Sequence, residues 1–305
     1  MKIFVIRFIF GVLGFLTSCS KVPVESTSKL IYGREAKAGE FDSTIMFQGC
    51  TGVVISDRLI LTAAHCFTLA LANPISRVGE ELSITNAKRL TKDVVEQWIM
   101  IKEIHLHPNS AVKFNGDHII NDLAIIETKE PIENIPAAKI SYETLSGNEE
   151  VWMTGGGCER DSKLNLTEDR RLKLGKQTLL KPQTLIEKFN DPKIAARFDP
   201  DNLKFYIDDL SRYQDTYSFV EGEFELTIGS KPSDGEEKSA ILCPGDSGGP
   251  LYRADTKEPT VIGINATRVI SYIDDKIVYQ TFSRLDLIAK NSPGTWIKKI
   301  LKQKR

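Results

Sequence analysis

Apolar and polar positions along this chain fall into short, punctuated blocks. Val53-Val54-Ile55, Leu59-Ile60-Leu61, Leu123-Ala124-Ile125-Ile126, Val151-Trp152-Met153 and Val261-Ile262 are brief aliphatic or β-branched runs set between Gly, Pro, Asn and Asp. Such runs fit a pleated, buried surface, and the punctuating residues supply the turns between them. Many short strands spaced this way predict an antiparallel β-sandwich or barrel. No internal repeat of solenoid or propeller period competes with that reading. Two stretches depart from the pattern. Residues 180–215 are rich in Lys, Asp and Arg and fit either an inserted lobe with short helices, near 181–220, or a solvated excursion. At the C-terminus, Trp296, Ile297, Ile300 and Leu301 share one helical face and lysines the other, which predicts an amphipathic helix packed on the core with a cationic last turn.

The first twenty positions follow another pattern. Lys2 and Arg7 accompany an apolar run, Phe8 to Leu16, that is too short to cross a bilayer as a mature helix. It ends in Leu16-Thr17-Ser18-Cys19, and this reads as an export signal. The segment resembles the bacterial lipoprotein signal, in which small residues precede a lipidated cysteine. That resemblance implies a signal peptide over residues 1–18, lipid attachment at Cys19 and a place on the bacterial cell envelope. Buried acyl CH₂ groups contribute ~0.8 kcal/mol each to such an anchor. An ordinary secretory signal with a chance cysteine is the alternative. Residues 19–29, polar and without periodicity, read as a tether or pro-segment.

Composition narrows the class further. The chain has 305 residues, with 40 Lys and Arg against 41 Asp and Glu, a net charge of −1 and 27% charged residues. That balance excludes a collagen-like or low-complexity chain and argues against a nucleic-acid partner. No further stretch of about 20 apolar residues occurs, which excludes a polytopic helical membrane protein. Cysteines number five, an odd count in an exported chain. Setting Cys19 aside leaves Cys50, Cys66, Cys158 and Cys243, which permit three pairings, and export favours disulfides.

Three motifs carry candidate chemistry, in order: Leu61-Thr62-Ala63-Ala64-His65-Cys66, Asn121-Asp122-Leu123-Ala124 and Gly245-Asp246-Ser247-Gly248-Gly249-Pro250. A serine hydroxyl is a weak nucleophile at neutral pH. It needs a histidine to take its proton and a carboxylate to orient that histidine. Glycines around Ser247 let backbone N–H groups converge on an oxyanion without side-chain obstruction. His105 and His107 alternate on a predicted strand. They read as partly exposed strand histidines rather than a zinc pair, because no carboxylate or cysteine stands at metal spacing beside them. His118 carries no motif.

Together the motifs resemble the trypsin/chymotrypsin-like serine peptidases, over nearly the whole chain from residue 30. Cys50 to Cys66 resembles the family's first-barrel core. Ile104 to Pro108 and Asn121 to Ile126 resemble the segments around the catalytic aspartate, and Trp152 to Gly157 a Gly-Trp-Gly strand end with Gly156 in place of tryptophan. The resemblance implies an all-β fold of two antiparallel six-stranded β-barrels with a C-terminal helix, over residues 30–305. It implies His65 as general base and then acid, Asp122 as its orienter and Ser247 as nucleophile. The N–H groups of Gly245 and Ser247 form the oxyanion hole. It implies disulfides Cys50–Cys66 and, because Cys243 lacks the family's downstream partner, Cys158–Cys243. It further implies activation by another protease after Lys29, with the new Leu30 ammonium pairing with Asp246. Ile31 is the alternative start, since Leu30 and Tyr32 differ from the family's Ile and Gly. Cleavage there would release the peptidase from its lipid anchor to the periplasm or medium. Ile241 takes the pocket-floor position, and Thr267 and Arg268 take the pocket-wall positions, with Arg268 replacing a glycine. Arg268 narrows the pocket, pairs with an acidic substrate residue or points to solvent. The expected activity is hydrolysis of peptide bonds in protein or peptide substrates, with no cofactor or metal. The alternatives are a catalytically silent binding protein on this fold and a latent surface lipoprotein.

Overall fold

The computed structural model describes residues 33–37, 39–47, 49–67, 78–86, 96–108, 110, 121–147, 149–156, 158–160, 166–168, 171–180, 186–187, 189–196, 200–201, 204, 217–223, 242, 245–270, 277–285 and 292–304. After β1 (Arg34–Glu35), the first barrel is built from β2 (Thr44–Phe47), β3 (Cys50–Ser56), β4 (Leu59–Thr62), β5 (Glu81–Thr85), β6 (Glu96–Leu106) and β7 (Ala124–Thr128). It closes in the order β2-β3-β4-β7-β6-β5. Then come β8 (Lys139–Ile140), β9 (Glu150–Gly155), a separate hairpin of β10 (Cys158–Arg160) and β11 (Leu166–Glu168), and β12 (Lys173–Leu180). The chain continues with β13 (Tyr217–Glu223), β14 (Pro250–Arg253), β15 (Thr260–Ile270) and β16 (Ile277–Arg284).

The second sheet runs β12-β13-β16-β15-β14-β9, and β9 pairs back onto β12. Six strands therefore close a second ring, with β1 added on β12 and β8 running parallel to β15. Closure leaves no open sheet edge within either ring. This is the expected chymotrypsin-like architecture. The runs read as strands lie in β3, β4, β7, β9 and β15, with Leu123 standing just before β7. In β4 and β7 every residue is buried, because one face fills the barrel while the other is covered by neighbouring structure. The main core joins Ile45, Ile60, Leu61 and Ile125 of the first barrel to Tyr252, Val261 and Ile264 of the second. A separate cluster, with Val151, Met153, Leu251, Ile262 and Phe282, lies within the second barrel.

The C-terminal helix, Pro293–Gln303, follows the amphipathic pattern. Ser292 caps it, accepting the Thr295 N–H, and Pro293 occupies the first turn, where its missing N–H costs no hydrogen bond. Ile297 and Ile300 are buried, while Trp296 and Leu301 pack half-buried against the core. Just past the last turn, Lys304 Nζ lies 2.7 Å from the buried Glu127 of β7. Lys102 Nζ is 2.7 Å from the other oxygen of that carboxylate, and His105 Nε2 is 3.4 Å away. Burial alone would raise the Glu127 pKa, but these partners outweigh it and hold the carboxyl down to about 2. In the charge-rich stretch, the described residues include a short helix, Pro192–Ala195, and further helical residues at 186–187, 189, 200–201 and 204. No described helix is long and apolar enough to cross a membrane. The expected signal peptide and tether, 1–29, lie outside the described residues.

Candidate active site

Two paired strands bring the histidine and the aspartate together. Thr62, the last residue of β4, sits opposite Ala124, the first of β7. His65 follows Thr62 by three positions, and Asp122 precedes Ala124 by two, so both leave the same end of the strand pair. Asn121 holds φ 47°, a left-handed conformation that asparagine tolerates. The Leu123 N–H closes the turn onto the Asn121 carbonyl at 2.7 Å. The turn aims Asp122, which is fully buried, at His65. Its Oδ1 accepts the His65 backbone N–H at 2.8 Å, and its Oδ2 lies 2.6 Å from His65 Nδ1. A carboxylate only accepts, so the ring proton sits on Nδ1 and leaves Nε2 as the free acceptor. Burial opposes a charge on His65. The Asp122 charge and hydrogen bond favour it more, and the net pKa lies above the ordinary histidine value. Cys66, the next residue, is bonded to Cys50 at the start of β3. This is the expected histidine-loop disulfide. Its 16-residue separation corresponds to ~3 kcal/mol in the chain-entropy model.

Ser247 stands half-exposed on a tight turn flanked by Gly245 at φ 102° and Gly248 at φ 81°. At Gly248 a β-carbon would lie 2.1 Å from Thr62 Oγ1 and 2.3 Å from the Thr51 carbonyl, so only glycine lets the turn seat this closely. The turn is fastened from two sides. Thr51 N–H donates to the Ser247 carbonyl at 2.8 Å, and Gly248 N–H donates to the Asn265 carbonyl at 2.9 Å. Asn265 also donates its side-chain amide to the Thr154 carbonyl at 3.0 Å. The Ser247 turn thus rests on β3 and on the end of β4, the strand that leads into His65. Asp246 is fully buried, and its carboxylate lies against Gly155, where a β-carbon would be 2.1 Å from Oδ1.

Cys19, Leu30, Ile241 and Cys243 lie outside the described residues, as does His118. Cys158, Thr267 and Arg268 are described through their backbones alone, pairing with Glu168, Thr281 and Gln280. Two histidine expectations need correction. His107 is 2% exposed rather than half-open, because the C-terminal helix covers it and sets Trp296 edge-on at 5.2 Å. His105 does have carboxylates near it. Folding brings Glu103 and Glu127 to it, with possible ligand atoms of the three residues within 4.8 Å of one another. The ammonium groups of Lys102 and Lys304 already stand against Glu127, so this cluster is charge-compensated from within the chain. Thr51 and Asn265 escape a reading from motifs, because their side-chain partners Gly245 and Thr154 lie 194 and 111 positions away. Thr62 stands within the His65 motif, but its hydrogen bond to the Thr51 carbonyl is made only by the fold.

A double β-barrel with a buried Asp–His pair at the end of one barrel is the architecture of the chymotrypsin-like peptidases. A profile described as Trypsin matches residues 30–194, and the chain belongs to the trypsin family. The matched span includes His65 and Asp122, and Ser247 lies downstream of it. Phenoloxidase-activating factor 3 of Holotrichia diomphalia is 25% identical over 252 residues, covering 73% of this chain and 60% of that protein. Tissue-type plasminogen activator of Mus musculus is 25% identical over 218 residues, covering 70% of this chain and 34% of that one. The chain therefore spans less than two thirds of either relative. Among solved structures, neuropsin, a serine protease of mouse brain, is similar in fold, with a TM-score of 0.55 at 17% identity. That match covers 88% of this chain and 98% of neuropsin.

Proposed function

We propose that this chain is an exported serine endopeptidase working through Ser247, His65 and Asp122. The observation that carries the reading is the two-point grip of Asp122 on His65, through Oδ1 to the backbone and Oδ2 to Nδ1. That grip fixes the tautomer a general base requires. In the proposed reaction His65 Nε2 takes the Ser247 hydroxyl proton as Oγ bonds to the substrate carbonyl carbon. The carbonyl oxygen gains the negative charge and is met by the N–H groups of Gly245 and Ser247. Collapse breaks the C–N bond, His65 returns the proton to the leaving amine, and water then hydrolyses the acyl-enzyme by the same route in reverse.

The chain is made as a lipidated precursor anchored at Cys19 and activated by cleavage after Lys29. Asp246 is fully buried beside the Ser247 turn, and we assign the new ammonium of Leu30 as a partner whose pairing sets the neighbouring oxyanion turn. Ile241 at the pocket floor favours an uncharged substrate side chain, with Arg268 at the wall. Cys158 and Cys243 form the second disulfide.

Fluorophosphonate labelling of the full chain, before and after cleavage at Lys29, tests the proposal. Labelling after cleavage that is abolished by Ser247→Ala is expected. A cleaved chain that stays unlabelled would identify a silent binding protein on this fold instead. N-terminal sequencing of membrane and soluble fractions tests the anchor, and an active chain that remains lipidated and uncut would refute release by activation.

A further inference from the structure

Thr51 follows the disulfide-bonded Cys50 and is fully buried. Its hydroxyl donates to the Gly245 carbonyl at 2.7 Å and accepts the Gly156 N–H at 3.0 Å. Its backbone N–H donates to the Ser247 carbonyl at 2.8 Å. Its own carbonyl accepts the Thr62 hydroxyl at 2.7 Å. One side chain therefore joins three segments: the start of β3, the end of β9 and the Ser247 turn.

The partners are specific. Thr51 holds the carbonyls of Gly245 and Ser247, the two residues whose N–H groups are assigned to the oxyanion. A backbone N–H is steered through the peptide planes around it. Gly245, at φ 102° and without a β-carbon, resists rotation least of any residue type. A hydroxyl has one proton to give. With the Gly156 N–H pointing at the oxygen, that proton is directed to Gly245. A β-carbon at Gly156 would lie 2.9 Å from Met46 Sδ and 3.6 Å from Thr51 Oγ1, so this backbone packs directly beside the Thr51 side chain.

We infer that Thr51 is a positioning residue for oxyanion stabilisation, its hydroxyl clamping the Gly245 peptide so that the Gly245 and Ser247 N–H groups stay convergent. The inference rests on the peptidase reading above. Thr51 is assigned no contact with substrate. Its effect therefore falls on the chemical step and leaves substrate binding unchanged.

The test compares the wild-type full chain, cleaved after Lys29, with Thr51→Val and Thr51→Ser. The measurements are the rate of fluorophosphonate labelling, kcat and KM for hydrolysis of p-nitrophenyl acetate, and thermal unfolding. Thr51→Val should label on the order of 10-fold to 100-fold more slowly, a smaller loss than deleting an oxyanion donor outright. Its kcat should fall in step while KM stays within about twofold. Thr51→Ser keeps the hydroxyl and should label within about threefold of wild type. Thr51→Ala takes the place of the valine variant if that one does not fold. A folded hydroxyl-free variant that labels at the wild-type rate overturns the inference. So does a serine variant as slow as the valine one, or a loss confined to KM. An unlabelled wild-type chain overturns the peptidase reading and this inference with it, whereas equal labelling of wild type and Thr51→Val overturns the clamp alone.

Discussion

Asp122 uses both carboxylate oxygens on His65, one on the backbone and one on the ring. Asp122→Asn would keep the shape but offer an amide N–H where an acceptor is needed, reversing the imidazole tautomer. Hydrolysis of an activated ester should then lose on the order of 10⁴ in kcat with thermal unfolding little changed. The raised His65 pKa has a definite sign. Under the proposed function His65 acts as base only when neutral, so kcat/KM should rise with pH through a midpoint above the ordinary ~6.5 of histidine. Asp122→Asn should move that midpoint down, because the carboxylate charge that raises it is gone. A midpoint at or below ~6.5 in the wild-type chain would contradict the assignment. At this scale the candidate residues were legible from three motifs in a fixed order: a glycine-ringed serine stands out alone, whereas the His65 and Asn-Asp motifs gain meaning only beside it. Thr51 does not, because its hydroxyl partner lies 194 positions away and a threonine in a strand is unremarkable by propensity.

The elements hold the site through a few long-range fasteners. The Cys50–Cys66 link ties the start of β3 to the short 3-10 turn carrying His65. A Cys50→Ser, Cys66→Ser variant should lose ~3 kcal/mol in urea unfolding, and a loss under about 1 would show that the loop is already fixed by packing. The C-terminal helix is fastened by Lys304 to Glu127 and by Trp296 to His107. Glu127 has a folded-state pKa depressed to about 2 by Lys102, Lys304 and His105 against its burial. Its contribution is present above the unfolded value of ~4.3 and is lost as pH falls through about 2. Glu127→Gln should therefore flatten the fall in melting temperature between about pH 4 and pH 2. An unchanged slope would place the acid sensitivity elsewhere. Strand runs and the helix face were readable because their periods of two and 3.6 are local. The two-residue strands β1 and β8, the return pairing of β9 with β12 and the burial of His107 were not, since each is made by a partner distant in sequence.

Across the whole molecule, the main hydrophobic cluster runs from the first barrel into the second, which also keeps a cluster of its own. Tyr252 of β14 packs into the first-barrel cluster, stacks on Phe41 at 4.5 Å and shares a 2.9 Å hydrogen bond with Thr44 of β2. Its hydroxyl is buried and held well above the usual phenol range, so it stays neutral. Scanning calorimetry should show one cooperative transition, and two resolved transitions would contradict a common core. Tyr252→Phe should cost on the order of 1 kcal/mol by orphaning the Thr44 hydroxyl.

On the proposed function, the Cys50–Cys66 bond would put the assigned base and the inferred oxyanion clamp under one redox control. It joins the residue before Thr51 to the residue after His65. Thiols stay reduced in the cytosol, whereas disulfides persist outside it. Under the proposed export, a copy folded before it leaves the cytosol would lack this link and should hydrolyse a test ester more slowly than one folded outside. The redox state of the compartment would then restrain the proposed activity inside the cell.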